Sequence, residues 1–85
     1  MGEVPRYSHV SELAKQALGA AFPGSAIDTE RGFGERVHVR IVSSALNGMS
    51  ERRKQAMVWD VLRDRLGADA QLVSLVLPYG MDELP

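Results

Sequence analysis

The spacing of apolar positions divides this 85-residue chain into five predicted elements. Val10, Leu13, Ala14, Ala17, Leu18 and Ala21 recur at i, i+3, i+4, i+7, i+8 and i+11, one stripe of a helix. Glu12, Lys15 and Gln16 occupy its other face. Ser8 or Ser11 is placed to cap this helix, since either hydroxyl can accept from a free N–H of the first turn. Phe22-Pro23-Gly24 ends it, because proline cannot continue the ladder. Residues 1–7 read as a loose lead-in broken by Gly2 and Pro5, and 8–85 as one domain.

A short strand over 25–30 leads to a turn at Gly32-Phe33-Gly34. Strict alternation follows: Val37, Val39 and Ile41 on one face, Arg36, His38 and Arg40 on the other. That pattern belongs to a strand buried on one side and wet on the other. Asn47-Gly48 signals a turn, and Ser50 caps a long helix over 51–66 with Val58, Trp59, Leu62 and Leu66 on its buried stripe. Ala56 and Val61 widen that stripe, and Ala17, Ala20, Ala21 and Met57 read as core or close helix packing. Gly67 suits the left-handed position after the helix. A third strand over 71–77 carries Val73, Leu75 and Leu77 on one face and Leu72 and Val76 on the other. Apolar on both sides, it is expected at the centre of the sheet, with Pro78 as its stop. Residues 79–85 leave room for one helical turn. The order helix, strand, strand, helix, strand predicts an α+β domain with a three-stranded sheet packed on helices. A right-handed crossover would put both helices on one face.

Composition adds mainly exclusions. Apolar residues are 45% and charged residues 25%, close to a globular average, so the chain is expected to fold. Cysteine is absent, which removes disulfides, thiolate metal ligands and cysteine nucleophiles, and fits a reducing, cytoplasmic setting. A net charge of −1 gives no bulk attraction for nucleic acid. No apolar run approaches a membrane span, and the first residues lack the pattern of a secretory signal. The expected state is a monomer or weak dimer with no membrane partner.

Candidate chemistry is sparse. Gly32-Phe33-Gly34 lacks the further glycine, the lysine and the following helix that a phosphate loop needs, so it reads as a hairpin connection. No nucleophile elbow accompanies His9 or His38, and no catalytic residue is assigned. His38 lies on the wet strand face between Arg36 and Arg40; one histidine is no metal site, and the arginines repel a cation. The local rule that is broken lies at Arg52-Arg53-Lys54. Three cations occupy the first turn of a helix, where free N–H groups already make a positive end and Glu51 offsets only part of the repulsion. An anion at that end would relieve them: a phosphate or an acidic partner surface. Arg36, Arg40, Arg52, Arg53 and Lys54 are therefore the candidate binding residues, a patch that forms if the strand and the helix start converge.

Taken together, 37–48 (VHVRIVSSALNG), 53–59 (RKQAMVW), Phe22-Pro23-Gly24 and Ile27-Asp28 make the chain resemble the BolA-like family from Leu13 to about Glu83. The resemblance implies a fold like that of type II KH domains. It implies two activities: partnership with a monothiol glutaredoxin around a shared [2Fe–2S] cluster in iron and Fe–S handling, or DNA binding in transcriptional regulation through 48–54. It also implies a cluster-ligating histidine at the start of the last strand, where this chain has Gln71-Leu72-Val73-Ser74-Leu75. A second His or Cys ligand is implied in the loop between the first two strands, where 31–35 has neither. The family's cluster site is thus not carried over, and His38 remains only as an unconventional ligand. Against the nucleic-acid activity, Gly48-Met49-Ser50-Glu51 keeps only the first glycine of a GxxG loop. The expectation is a non-enzymatic, partner-binding domain with no resident cofactor, the runner-up being a KH-like nucleic-acid-binding regulator.

Overall fold

A computed structural model of the chain describes residues 6–84. Helix α1 spans Arg6–Ala21, strand β1 Ala26–Arg31, strand β2 Val37–Ser43, helix α2 Glu51–Leu66 and strand β3 Val73–Gly80, with short 3-10 turns between them. The sheet order is β1-β2-β3, with β1 antiparallel and β3 parallel to β2. Both helices pack on one face of the sheet.

The core lies between that face and the helices. α1 contributes Val10, Ala14, Ala17 and Leu18, β2 contributes Val37, Val39 and Ile41, and α2 contributes Val58, Leu62 and Leu66. β2 thus has the alternation its sequence predicts. α2 begins and ends where expected: the Ser50 hydroxyl accepts from Arg53 N at 3.2 Å, and Gly67, at φ 57°, donates its N–H to the Arg63 carbonyl. Phe22 is buried at the end of α1.

α1 already includes Arg6 and Tyr7, which the sequence assigns to the lead-in; residues 1–5 lie outside the described residues. Neither Ser8 nor Ser11 caps it. Ser11 is buried in mid-helix, its hydroxyl 2.6 Å from that of Thr29, and the Tyr7 hydroxyl donates to the same Thr29 oxygen at 3.3 Å. Tertiary partners on β1 override the local capping preference. Ala20, Ala21 and Ala56 are exposed, because an alanine adds little to a stripe whose larger residues set the packing. Trp59 is half-buried at the margin of the core, its indole N–H donating to Gln55 Oε1 at 3.1 Å and Arg63 stacked 5.5 Å from the ring centroid.

The largest departure is β3. It lies at an edge, and β2 takes the centre. Its register shifts between Val37↔Val73 and His38↔Leu75, so Ser74 is an extra residue and the inward phase slips by one. Val73, Val76 and Pro78 consequently face the helices and are buried, whereas Leu75 and Leu77 face away, 40% and 39% exposed. Pro78 does not end the strand; its missing N–H is tolerated because the edge side needs no donor. The Gln55 side chain covers part of that edge, donating to the Val76 carbonyl at 2.8 Å.

β3 ends at Gly80, and a 3-10 turn over Met81–Glu83 follows. A Cβ on Gly80 would meet the Asp82 carboxylate, Asn47 Oδ1 at 2.9 Å and the Asn47 Cα at 3.0 Å. Asn47 Cα is backbone and cannot swing aside. Gly80→Ala should therefore destabilise the fold by about 1–3 kcal/mol, read as a lower urea midpoint. Gly24→Ala, with open space around its Cβ position but φ at 80°, should be destabilising through backbone strain alone.

Candidate partner-binding site

The start of α2 is where sequence and structure meet most directly. Lys54 is the fourth residue of the helix, and its inward position places it among the core side chains, 2% exposed. Burying an ammonium requires a compensating anion and hydrogen bonds. Glu83 supplies them from 29 residues further along the chain, its Oε1 accepting from Lys54 Nζ at 2.6 Å. The same oxygen accepts from Gly80 N at 2.7 Å. Glu51 adds a second carboxylate 3.1 Å from Lys54 Nζ. Beside them, Asp82 accepts from Gly48 N at 2.9 Å, and Asn47 Oδ1 accepts from Asp82 N at 3.2 Å. Two consecutive carboxylates thus fasten the segment after β3 onto the first turn of α2 and the turn before it.

The electrostatics follow from this arrangement. The hydrogen bond from Lys54, reinforced by the one from Gly80 N, holds the Glu83 carboxyl below its usual value of 4.5. The hydrogen bond to Glu83 raises the Lys54 ammonium above 10.5; burial pulls the other way, and Glu51 adds to the rise. The anion that the basic helix start calls for is therefore partly internal.

The five candidate residues do not form one patch. Lys54 is buried and unavailable to a ligand. Arg40 lies on the sheet face away from the helices, paired with Asp28 at 2.9 Å. Arg36 precedes β2, a full strand length from the turn that leads into α2. Only Arg52 and Arg53 remain together and exposed on the first turn of α2. Alternation sets Arg36 and Arg40 on the strand face turned away from the helices, so they do not converge with the start of α2.

His38 is half-buried on the same outer face as Arg40. Its ring lies against the hairpin turn: a Cβ on Gly32 would fall 2.6 Å from His38 Nε2. The turn itself closes through Gly32 N donating to the Arg36 carbonyl at 2.7 Å. It is held to α1 by Glu35, which accepts from Tyr7 N at 3.2 Å and pairs with Arg31. Phe33 projects from its tip, 93% exposed. No group of three or more His, Cys, Asp or Glu able to hold a metal occurs among the described residues. Nor is any helix among them long and apolar enough to cross a membrane.

Glu83, Gly80 and Asp82, which make the contacts at the α2 start, were not candidates from the sequence. The signal that points to them is indirect: a lysine at an inward helical position near a positive helix end requires a carboxylate, without saying which.

No family model matches the chain, and no curated protein matches it. Solved structures do. The BolA domain of SufE1 from Arabidopsis thaliana is similar with a TM-score of 0.69 at 20% sequence identity, covering 98% of this chain and 100% of that one. BolA1 from Arabidopsis thaliana is similar with a TM-score of 0.67 at 18% identity, covering 98% of this chain and 100% of that one. The chain has the fold of BolA domains, as the resemblance in its sequence implies.

Glu83→Gln should lower the melting temperature at neutral pH more than Lys54→Met, because it leaves the ammonium buried with only Glu51 beside it. The folded state holds the Glu83 proton less tightly than the unfolded state does. Its stabilisation is therefore complete above 4.5 and lost as pH falls through the lowered folded value. Lys54, raised in the folded state, stabilises fully below 10.5 and loses its contribution as pH rises through its folded value. The gap in melting temperature between wild type and Glu83→Gln should stay constant through neutral pH and close in acid below 4.5, as measured by thermal unfolding across a pH series.

Proposed function

We propose that this chain is a divergent BolA-like domain, non-enzymatic, that acts by binding a protein partner. The observation that carries this reading is the likeness in fold to BolA domains over nearly the whole chain. A monothiol glutaredoxin in iron and Fe–S handling is the partner class we propose, in a cytoplasmic setting.

The residues of this chain do not fit ligation of a shared [2Fe–2S] cluster. Thiolate or imidazole donors are needed. The hairpin turn offers Phe33 and Glu35, and the start of β3 offers Val73, Ser74 and Leu75. Of the two imidazoles toward that end of the sheet, His9 on α1 pairs with Asp69 at 3.7 Å, and His38 lies between Arg36 and Arg40 on its strand face and packs against Gly32. A glutaredoxin contact would accordingly rest on protein surface alone.

The nucleic-acid reading retains less support. Of its five residues, Arg52 and Arg53 stay exposed side by side, while the turn before them has its Gly48 N–H bonded to Asp82 and Glu83 close behind. Carboxylates at that position repel a phosphate backbone.

Calorimetric titration of the purified chain into apo and cluster-loaded monothiol glutaredoxin separates these readings. Saturable binding to either form, with the visible circular dichroism of the cluster unchanged, is the expected result. A change in that spectrum at stoichiometric protein would show ligation and turn attention to His38→Ala. No heat with either form would overturn the glutaredoxin assignment. For duplex DNA the expectation is no binding at physiological salt. Binding whose salt slope falls by about one in Arg53→Ala would establish the nucleic-acid reading instead.

A further inference from the structure

Both helices cover one face of the sheet and leave the other open. On that open face the strands present three chemically distinct rows. β3 contributes Leu75, Leu77 and Tyr79; β2 contributes His38, Arg40 and Val42 beside them; β1 contributes Asp28 and Glu30 at the far side. Between the outer rows runs a shallow groove of about 530 Å³. Leu75 and Leu77 are among the few large apolar side chains exposed in the described structure, and they stand two residues apart on one strand face. Arg40 is paired with Asp28, whereas Glu30 meets no cation among the described residues.

We propose that this open sheet face docks an amphipathic helix of a protein partner, its apolar stripe on the β3 row and a flanking row of lysines or arginines toward Glu30. The proposal rests on the reading of this chain as a partner-binding domain and specifies a surface for it. The dimensions agree. β1 and β3 are separated by two strand spacings, about 10 Å, which matches the 10–12 Å width of a helix with its side chains. One side of such a helix meets leucines while its adjacent side meets a carboxylate. The eight residues of β3 run about 26 Å, the length of roughly 18 helical residues.

Two other occupants match this face less well. Against a nucleic acid, Arg40 is already engaged by Asp28, and Glu30 would repel the phosphates. A second copy laid face to face about an axis across the strands stacks β1 on β1, carboxylates on carboxylates. About an axis along the central strand it places the leucines of one copy over the carboxylates of the other. An axis shifted out to β3 joins the two leucine rows but leaves both grooves uncovered.

The test uses the full chain and a synthetic helical peptide of about 18 residues with one leucine stripe and one lysine flank. A counterpart carries glutamates in place of the lysines. NMR titration of the amide and methyl signals should show saturable binding of the lysine peptide, with shifts concentrated at Leu75, Leu77, Tyr79 and Glu30. Leu77→Ser should weaken it about tenfold, and Glu30→Lys, at an exposed position that leaves the core intact, should transfer the preference to the glutamate peptide. Absence of saturable binding, shifts centred elsewhere, or a peptide preference unmoved by Glu30→Lys would overturn the proposal. So would a concentration-dependent dimer abolished by Leu77→Ser, which would assign the leucine row to a second copy. Glutaredoxin binding measured on Leu77→Ser keeps the two readings apart. If the lysine peptide fails while glutaredoxin still binds the wild type, the open-face proposal falls and partner binding stands. If the peptide binds as described and glutaredoxin does not, the glutaredoxin assignment falls alone.

Discussion

A buried ammonium must be met by an anion, and in this fold the anion arrives from the far end of the domain. Lys54 sits inside the packing of α2 against the sheet, and Glu83 reaches it after the chain has passed through the helix and the last strand. The pair ties together the turn at Asn47-Gly48, the start of α2 and the segment beyond β3. Asp82 and the close approach of Gly80 to Asn47 complete the same junction. An apolar residue at 54 would fill the same space; the charge pair in addition specifies which segment must close the site.

That junction also accounts for one of the cations at the basic helix start. Three cations on a positive helix end are unfavourable in isolation, and an external anion is one remedy. Folding provides an internal one for the residue that points inward. Arg52 and Arg53 point outward and keep their solvent exposure. A broken local rule marks a place where something must compensate, and here the compensation is structural for one of the three cations, Lys54.

The sheet divides the remaining chemistry by face. Its inner face is mainly aliphatic and packed on the helices, with Thr29 bonded to Ser11 and Tyr7, while its outer face mixes one ion pair, one histidine and a row of exposed leucines. A sheet with helices on only one side leaves this second face for other uses, and the extra residue at Ser74 turns the leucines of β3 onto it.

Local patterning determined much of this architecture. The alternation of 37–41 set the faces of β2. The Ser50 cap and the stripe Val58, Leu62, Leu66 set α2 to its ends, and the order of elements set the α+β layering. These are properties of neighbouring residues, so periodicity and capping reveal them. Three things depended on contacts between distant residues. The place of β3 in the sheet could not be read because an extra residue at Ser74 moves Leu75 and Leu77 outward, and a strand apolar on both faces is read as central. The origin of α1 before Tyr7 depends on Ser11 and Tyr7 meeting Thr29 across the fold. The fate of the five basic candidates depends on which face each strand and helix turns to its neighbours. Spacing along the chain says which side chains share a face; only packing decides whether that face meets solvent, a carboxylate or the core.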